Sequence, residues 1–146
     1  MRTIIQRVKK ASVLIDNSEK NEINNGLMVL CAFEETDTNE KIEYVANKIV
    51  NLRIFADCED KLNLSLLDIK GEILIVSNFT LYGNCDKGRR PCFNRAAKPD
   101  ISEKMYDYFV EEVKKYGLTV KTGKFGADML VDISNDGPVT VMVESK

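Results

Sequence analysis

Two short segments bring together residues that could do chemistry. Ser77-Asn78-Phe79-Thr80 closes the run EILIVSNFTL (72–81), so two hydroxyls, an amide and successive main-chain N–H groups follow an apolar stretch. Such an array can hold a carbonyl oxygen while negative charge develops on it; ordinary strand-end hydrogen bonding needs the same groups. The second segment is Asn135-Asp136-Gly137-Pro138-Val139-Thr140. Proline cannot donate to a sheet ladder and Gly-Pro marks a turn, while a cis X-Pro bond aims neighbouring carbonyls where a trans chain cannot.

What is missing narrows the chemistry further. The 146 residues contain no histidine, which removes Ser-His-Asp and Cys-His pairs, imidazole general bases and histidine-bearing zinc sites together. Cys31, Cys58, Cys85 and Cys92 show no C-x-x-C spacing, so zinc would have to take all four thiolates, and separate reduced cysteines are the expectation. Cys85 and Cys92 flank a third feature. Lys87, Arg89, Arg90, Arg95 and Lys98 place five of the 21 basic residues, and none of the 23 acidic ones, within residues 87–98 of a chain with net charge −2. Any anion-binding footprint is therefore one loop rather than a whole face; the plainer reading is a solvated surface loop.

The elements that must position these residues read as strand-rich. TIIQRVK (3–9) and ASVLID (11–16) are dense in β-branched residues, with a turn at Asn17-Ser18, and LMVLCAF (27–33) has the length and continuous apolarity of a buried strand. Asp37 or Thr38 caps a first helix with Ile42, Val45, Ala46, Ile49 and Leu52 on one face. Short strands are expected at 53–57 and 62–67, and a central one over 72–81. Residues 83–99 have no period, and long loops in compact domains are often functional. Asp100 or Ser102 opens a second helix with the stripe Met105, Tyr108, Phe109, Val113 and Tyr116, ended by Gly117. LTVKTG (118–123), ADMLVDIS (127–134) and PVTVMVE (138–144) follow, the last two joined as a hairpin by Asn135-Asp136-Gly137. Strands outnumber helices without strict interleaving, so the expectation is a single α+β domain over residues 1–146. No apolar run approaches the roughly 20 residues of a membrane span, and Met1-Arg-Thr-Ile has no apolar leader, which reads as cytoplasmic.

The two segments, taken with MRTIIQRVKKASV at the start, NLRIF (51–55), KGRRPCF (87–93), YDYFV (106–110) and TGKFGADM (122–129), resemble in order and spacing the D-aminoacyl-tRNA deacylases, also called D-tyrosyl-tRNA deacylases. That resemblance covers nearly the whole chain. It implies a three-layer β/β/α homodimer that hydrolyses the ester between a D-amino acid and the acceptor end of tRNA, without cofactor or metal. The family's Gly-Pro, in cis, reaches from one subunit into the pocket of the other; here the pair is Gly137-Pro138, flanked by Val139 and Thr140. The family's Ser-Gln-Phe-Thr strand end matches Ser77-Asn78-Phe79-Thr80, with Asn78 one methylene shorter than the usual Gln. Phe125 and Met129 match pocket-lining positions and Ala96 a position near the substrate. Cys31-Ala32 departs from a run usually ending in Leu-Gly.

Mechanistically this leaves two routes. Thr80 attacks directly, which requires an adjacent base. Otherwise the substrate's own ribose hydroxyl assists while the Phe79 and Thr80 N–H groups stabilise the oxyanion. The loop cations Lys87, Arg89, Arg90, Arg95 and Lys98 would then meet tRNA phosphates. Readings from other classes are a non-catalytic tRNA-binding dimer of the same fold and a generic ester hydrolase.

Overall fold

The computed structural model describes residues 1–145. Its organising element is β1 (Arg2–Ile15), whose one edge pairs along nearly its whole length with β8 (Met129–Glu144). The other edge is shared: the first half of β1 pairs with β3 (Gly26–Ala32) and the second half with β2 (Glu19–Ile23), all antiparallel. β6 (Glu72–Ser77) and β7 (Thr119–Thr122) extend the sheet beyond β3 in parallel, and β4 (Phe55–Ala56) with β5 (Leu62–Leu64) form a separate ribbon. Gly26 permits the tight approach of β3 to β6, since a Cβ there would lie 1.8 Å from the Glu72 carbonyl oxygen.

Burial along β1 explains how one sheet makes two layers. Thr3 and Ile5 are buried with one phase and Val8 with the other, and from Ala11 to Ile15 the phase returns to odd positions. The changes coincide with register shifts between Gln6 and Val8 and between Val8 and Lys10. Side chains alternate faces along a strand, so an irregularity hands the strand from one core to another. Ile5 packs with Leu27, Val29, Ile73 and Ile75 beneath the helices α1 (Asn39–Val50) and α2 (Pro99–Lys114). Val8, Ala11, Val13 and Ile15 instead meet Met28, Leu74 and Val76 in a second core enclosed by the curled sheet. The result is the expected α+β, β/β/α architecture. β3 and β6 contribute to both cores, which is why their sequences read as continuous apolar runs.

Several expectations change in detail. The stretches 3–9 and 11–16 are one strand, and the polar strand β2 was not visible as apolar pattern. The hairpin expected around Asn135-Asp136-Gly137 is absent: β8 runs straight through, with Ile133 opposite Ala11 and Thr140 opposite Gln6. The residues between Asn135 and Thr140 leave the ladder as an outward excursion, so turn-forming residues there make a bulge rather than a reversal. The strand expected over 72–81 stops at Ser77, and Phe79–Tyr82 forms a 3-10 turn. The regular parts of the stretches 53–57 and 62–67 shrink to β4 and β5.

Thr38 caps α1, accepting from the Lys41 N–H at 3.5 Å, while Leu52 lies beyond the helix and is only partly buried. α2 starts at Pro99, a favourable first helical residue, instead of at Asp100 or Ser102. Its core face carries Tyr106, Phe109, Val110 and Val113; Met105, Tyr108 and Tyr116 pack only partly. All four cysteines are free, with Cys31 buried and the other three exposed. Among the described residues no helix is long and apolar enough to cross a membrane.

Candidate active site at the strand ends

A cavity of about 720 Å³ opens where the parallel strands β3 and β6 end at their carboxyl sides, the edge at which such sheets place ligands. Cys31 and Ser77 are partners in the last rung, and the Asn78 N–H then donates to the Cys31 carbonyl oxygen at 2.8 Å, turning the chain out of the sheet. Ser77, Asn78 and Phe79 form the polar lip, while Phe93, Phe125 and Met129 supply apolar wall and Ala96 and Lys98 lie on the loop side. Of the residues singled out from sequence, seven therefore converge: Ser77, Asn78, Phe79, Ala96, Lys98, Phe125 and Met129. Cys31 also lines the cavity, but burial pushes its thiol far up and it donates to the Val76 carbonyl, so it offers no thiolate.

Hydrogen bonding around the turn decides which donors are available. Asn78 Oδ1 accepts from both Thr80 N–H (3.2 Å) and Thr80 Oγ1–H (2.5 Å), and the Asn78 carbonyl accepts from Leu81 N–H at 3.2 Å. The Phe79 N–H has no acceptor among the described residues. Thr80 does not line the cavity, and its N–H, expected to share the oxyanion role, is engaged by Asn78. The Phe79 ring stands 57% exposed at the rim, edge-on to Phe93 at 5.2 Å. Phe125 leans on Tyr106 (6.1 Å between centroids), whose hydroxyl donates to Ile75 O at 2.9 Å and whose pKa is raised by burial.

The basic loop is pinned at both ends and free at its tip. Asn84 and Cys92 exchange main-chain hydrogen bonds of 2.8 and 2.9 Å, and the Ala97 N–H donates to the Phe33 carbonyl at 2.8 Å. Lys87, Arg89, Arg90 and Lys98 are exposed and have no acidic partner among the described residues. Arg95 differs from them. It lies 5.3 Å from the centre of the Tyr82 ring, which Arg2 also approaches at 5.0 Å, and reaches Glu34 at 3.4 Å.

Gly137 and Pro138 form the exposed tip of the β8 excursion and are joined by a cis peptide bond. They do not line the cavity of their own chain, nor do Val139 and Thr140. The tip is braced from behind: Arg7 Nε donates to the Asp136 carbonyl (3.1 Å) and sits 3.2 Å from its carboxylate, while Nη1 reaches Ile54 O at 2.8 Å. Asn135 Oδ1 accepts from Val139 N–H and its Nδ2 donates to Thr140 Oγ1, both at 2.9 Å. Gly137 has φ of +129°, and a Cβ there would lie 2.9 Å from Val139 Cγ2 and 3.0 Å from Arg7 Nη2. Sequence reasoning missed Arg7 as part of this assembly. No spacing rule links residue 7 to residue 136; the one clue was a charged side chain inside a β-branched run.

A family model described as D-Tyr-tRNA(Tyr) deacylase matches residues 4–144. The chain belongs to this family. D-aminoacyl-tRNA deacylases from Thermosipho africanus and Bacillus cytotoxicus are 55% and 54% identical over all 146 residues, covering 98% and 100% of those proteins. The Clostridioides difficile deacylase is 49% identical over 145 residues, 99% of this chain and 97% of that protein. Among solved structures, a c-Myc DNA unwinding element binding protein superposes with TM-score 0.92 at 40% identity, over 100% of this chain and 99% of that one. A probable eukaryotic D-amino acid tRNA deacylase, 22% identical over 98% of each chain with TM-score 0.86, shares the fold. Among the described residues of this deacylase-family chain, no three Cys, Asp or Glu side chains gather as metal ligands would.

Proposed function

We propose that this chain hydrolyses the ester bond of D-aminoacyl-tRNA in the cytoplasm, releasing tRNA and the D-amino acid and so proofreading chirality in translation. The observation that carries the reading is the unpartnered Phe79 N–H at a cavity whose opposite wall is apolar. The ester carbonyl oxygen takes that donor as it becomes an oxyanion. Water adds to the carbonyl carbon, the ribose hydroxyl beside the ester assists its deprotonation, and the ester oxygen leaves with a proton as the second ribose hydroxyl. Phe93, Phe125 and Met129 accommodate side chains of varied shape.

A nucleophilic Thr80 fits poorly. Its hydroxyl proton is held by the Asn78 amide oxygen, which is not a base at neutral pH, and the chain has no histidine to serve instead. Substrate assistance is therefore favoured over covalent catalysis.

Chiral selection falls to Gly137-Pro138 of a second copy, because the tip is exposed and does not line the cavity of its own chain. A homodimer is supported by the edge position of β8 and by its exposed Leu130 (61%) and Met142 (54%), apolar surface that a partner would cover. Main-chain groups held by Arg7 and Asn135 cannot yield to an L side chain, and rejecting it a thousandfold takes only about 4 kcal/mol. A glycyl ester, having no side chain to clash, is cleaved as well. Lys87, Arg89, Arg90 and Lys98 hold acceptor-end phosphates.

The test is deacylation of matched D- and L-tyrosyl-tRNA. Cleavage of the D ester alone supports the reading; no cleavage indicates a tRNA-binding protein without turnover, and indifference to chirality a generic esterase. Complete inertness of glycyl-tRNA would count against the steric account.

A further inference from the structure

Asn78 stands where the family resemblance leads one to expect Gln, and the structure gives the shorter residue a specific employment. Its backbone is non-helical (φ −149°, ψ 88°), as a residue capping a turn from outside requires. Its main-chain N–H anchors it to the sheet, and its two oxygens hold the next three residues. The N–H is tied to Cys31 O on β3, the carbonyl accepts from Leu81 N–H, and Oδ1 takes both donors of Thr80. Gly83 N–H then closes on Thr80 O at 2.9 Å. Of the N–H groups from Asn78 to Thr80, this leaves Phe79 alone unpartnered.

Resting on the hydrolytic reading above, we infer that Asn78 is a positioning residue: its side-chain oxygen locks the Ser77–Thr80 turn so that the Phe79 N–H is the one donor presented to the ester. The side chain acts as an acceptor toward its own chain, and its NH2 group is not required for turnover. Asn, Asp and Ser can close this short ring from the capping position, whereas Ala cannot. The preorganised donor matters chiefly as charge develops, so its loss falls on kcat and leaves KM nearly unchanged.

The experiment compares Asn78→Ala with Asn78→Ser on D-tyrosyl-tRNA, with amide hydrogen exchange of Phe79 and Thr80 measured by NMR on the full-length protein. Expected are a kcat lowered roughly fivefold to tenfold in Asn78→Ala, KM within about twofold, and kcat restored to within about threefold in Asn78→Ser. Thr80 amide protection should be present in the wild type and in Asn78→Ser and lost in Asn78→Ala. Equal loss of kcat in both variants would overturn the proposal by making the amide NH2 the active group. Wild-type kcat in Asn78→Ala, or unchanged Thr80 protection, would overturn it by showing that the turn holds itself. If the wild type cleaves no D-tyrosyl ester, the functional reading fails, and the exchange data still judge whether Asn78 holds the turn.

Discussion

The cavity at the ends of β3 and β6 and the Gly137-Pro138 tip are built on opposite plans. The cavity is concave and rests on strands buried on both faces, so Ile75, Val76 and Cys31 beneath it can move only if two cores move. The tip is convex, exposed and outside the ladder, and it is held by polar braces from Arg7 and Asn135. Packing fixes the place where a bond would be broken, and hydrogen bonds fix the element that would choose between enantiomers. Rate and stereochemical choice should therefore be separable by mutation.

The largest separation is expected from Gly137→Ala. The new Cβ enters a left-handed backbone position and crowds Val139 and Arg7, a strain of about 1–3 kcal/mol. The ratio of D- to L-tyrosyl-tRNA cleavage should fall roughly tenfold to a hundredfold, while melting temperature and the single-turnover rate on the D ester change little. A variant that loses D cleavage equally would erase the contrast between the two regions.

Arg7→Ala should act in the same direction but less strongly. It removes charge-assisted bonds to Asp136 and Ile54 of the kind worth about 1.5–3 kcal/mol each, partly replaced by water at this half-buried site. A roughly tenfold relaxation of the D/L ratio is expected, and an unchanged ratio would show that the tip holds its shape without the brace.

A third comparison divides the basic loop itself. Arg89→Ala with Arg90→Ala should reduce tRNA affinity and flatten its salt dependence by roughly 0.7–0.9 for each phosphate that is no longer neutralised. Arg95→Ala, which removes a cation from the Tyr82 face and from Glu34, should lower the melting temperature and leave the salt slope alone. The smallest effect is expected from Thr80→Val: kcat within about threefold of wild type. A loss beyond roughly a hundredfold with an intact fold would restore Thr80 as nucleophile.

How legible this was depended on the range of the interactions. LMVLCAF and EILIV announced β3 and β6 because strands serving two cores must be apolar throughout. Thr38 with the Ile42, Val45, Ala46 and Ile49 stripe marked α1 through interactions a few residues apart. Asn135-Asp136-Gly137-Pro138 misled, since local chemistry that favours reversal was overridden by pairing of both flanks with β1. The residues gathered at the cavity lip were visible as a motif. Their internal arrangement was not, because spacing does not report that Asn78 closes on Thr80 or that Arg95, alone among the loop cations, is stacked and paired.

The phase changes in β1 bear on how this chain can change length. Deleting one residue between Gln6 and Lys10 would shift the second half of the strand by one position against its neighbours, turning Lys10, Ser12 and Leu14 toward the inner core and Val13 and Ile15 away from it. An insertion at the exposed tip of the basic loop, between Lys87 and Pro91, disturbs neither core. Length variation in natural or engineered versions of this protein should accumulate at that tip and be purged from the Gln6–Lys10 stretch of β1.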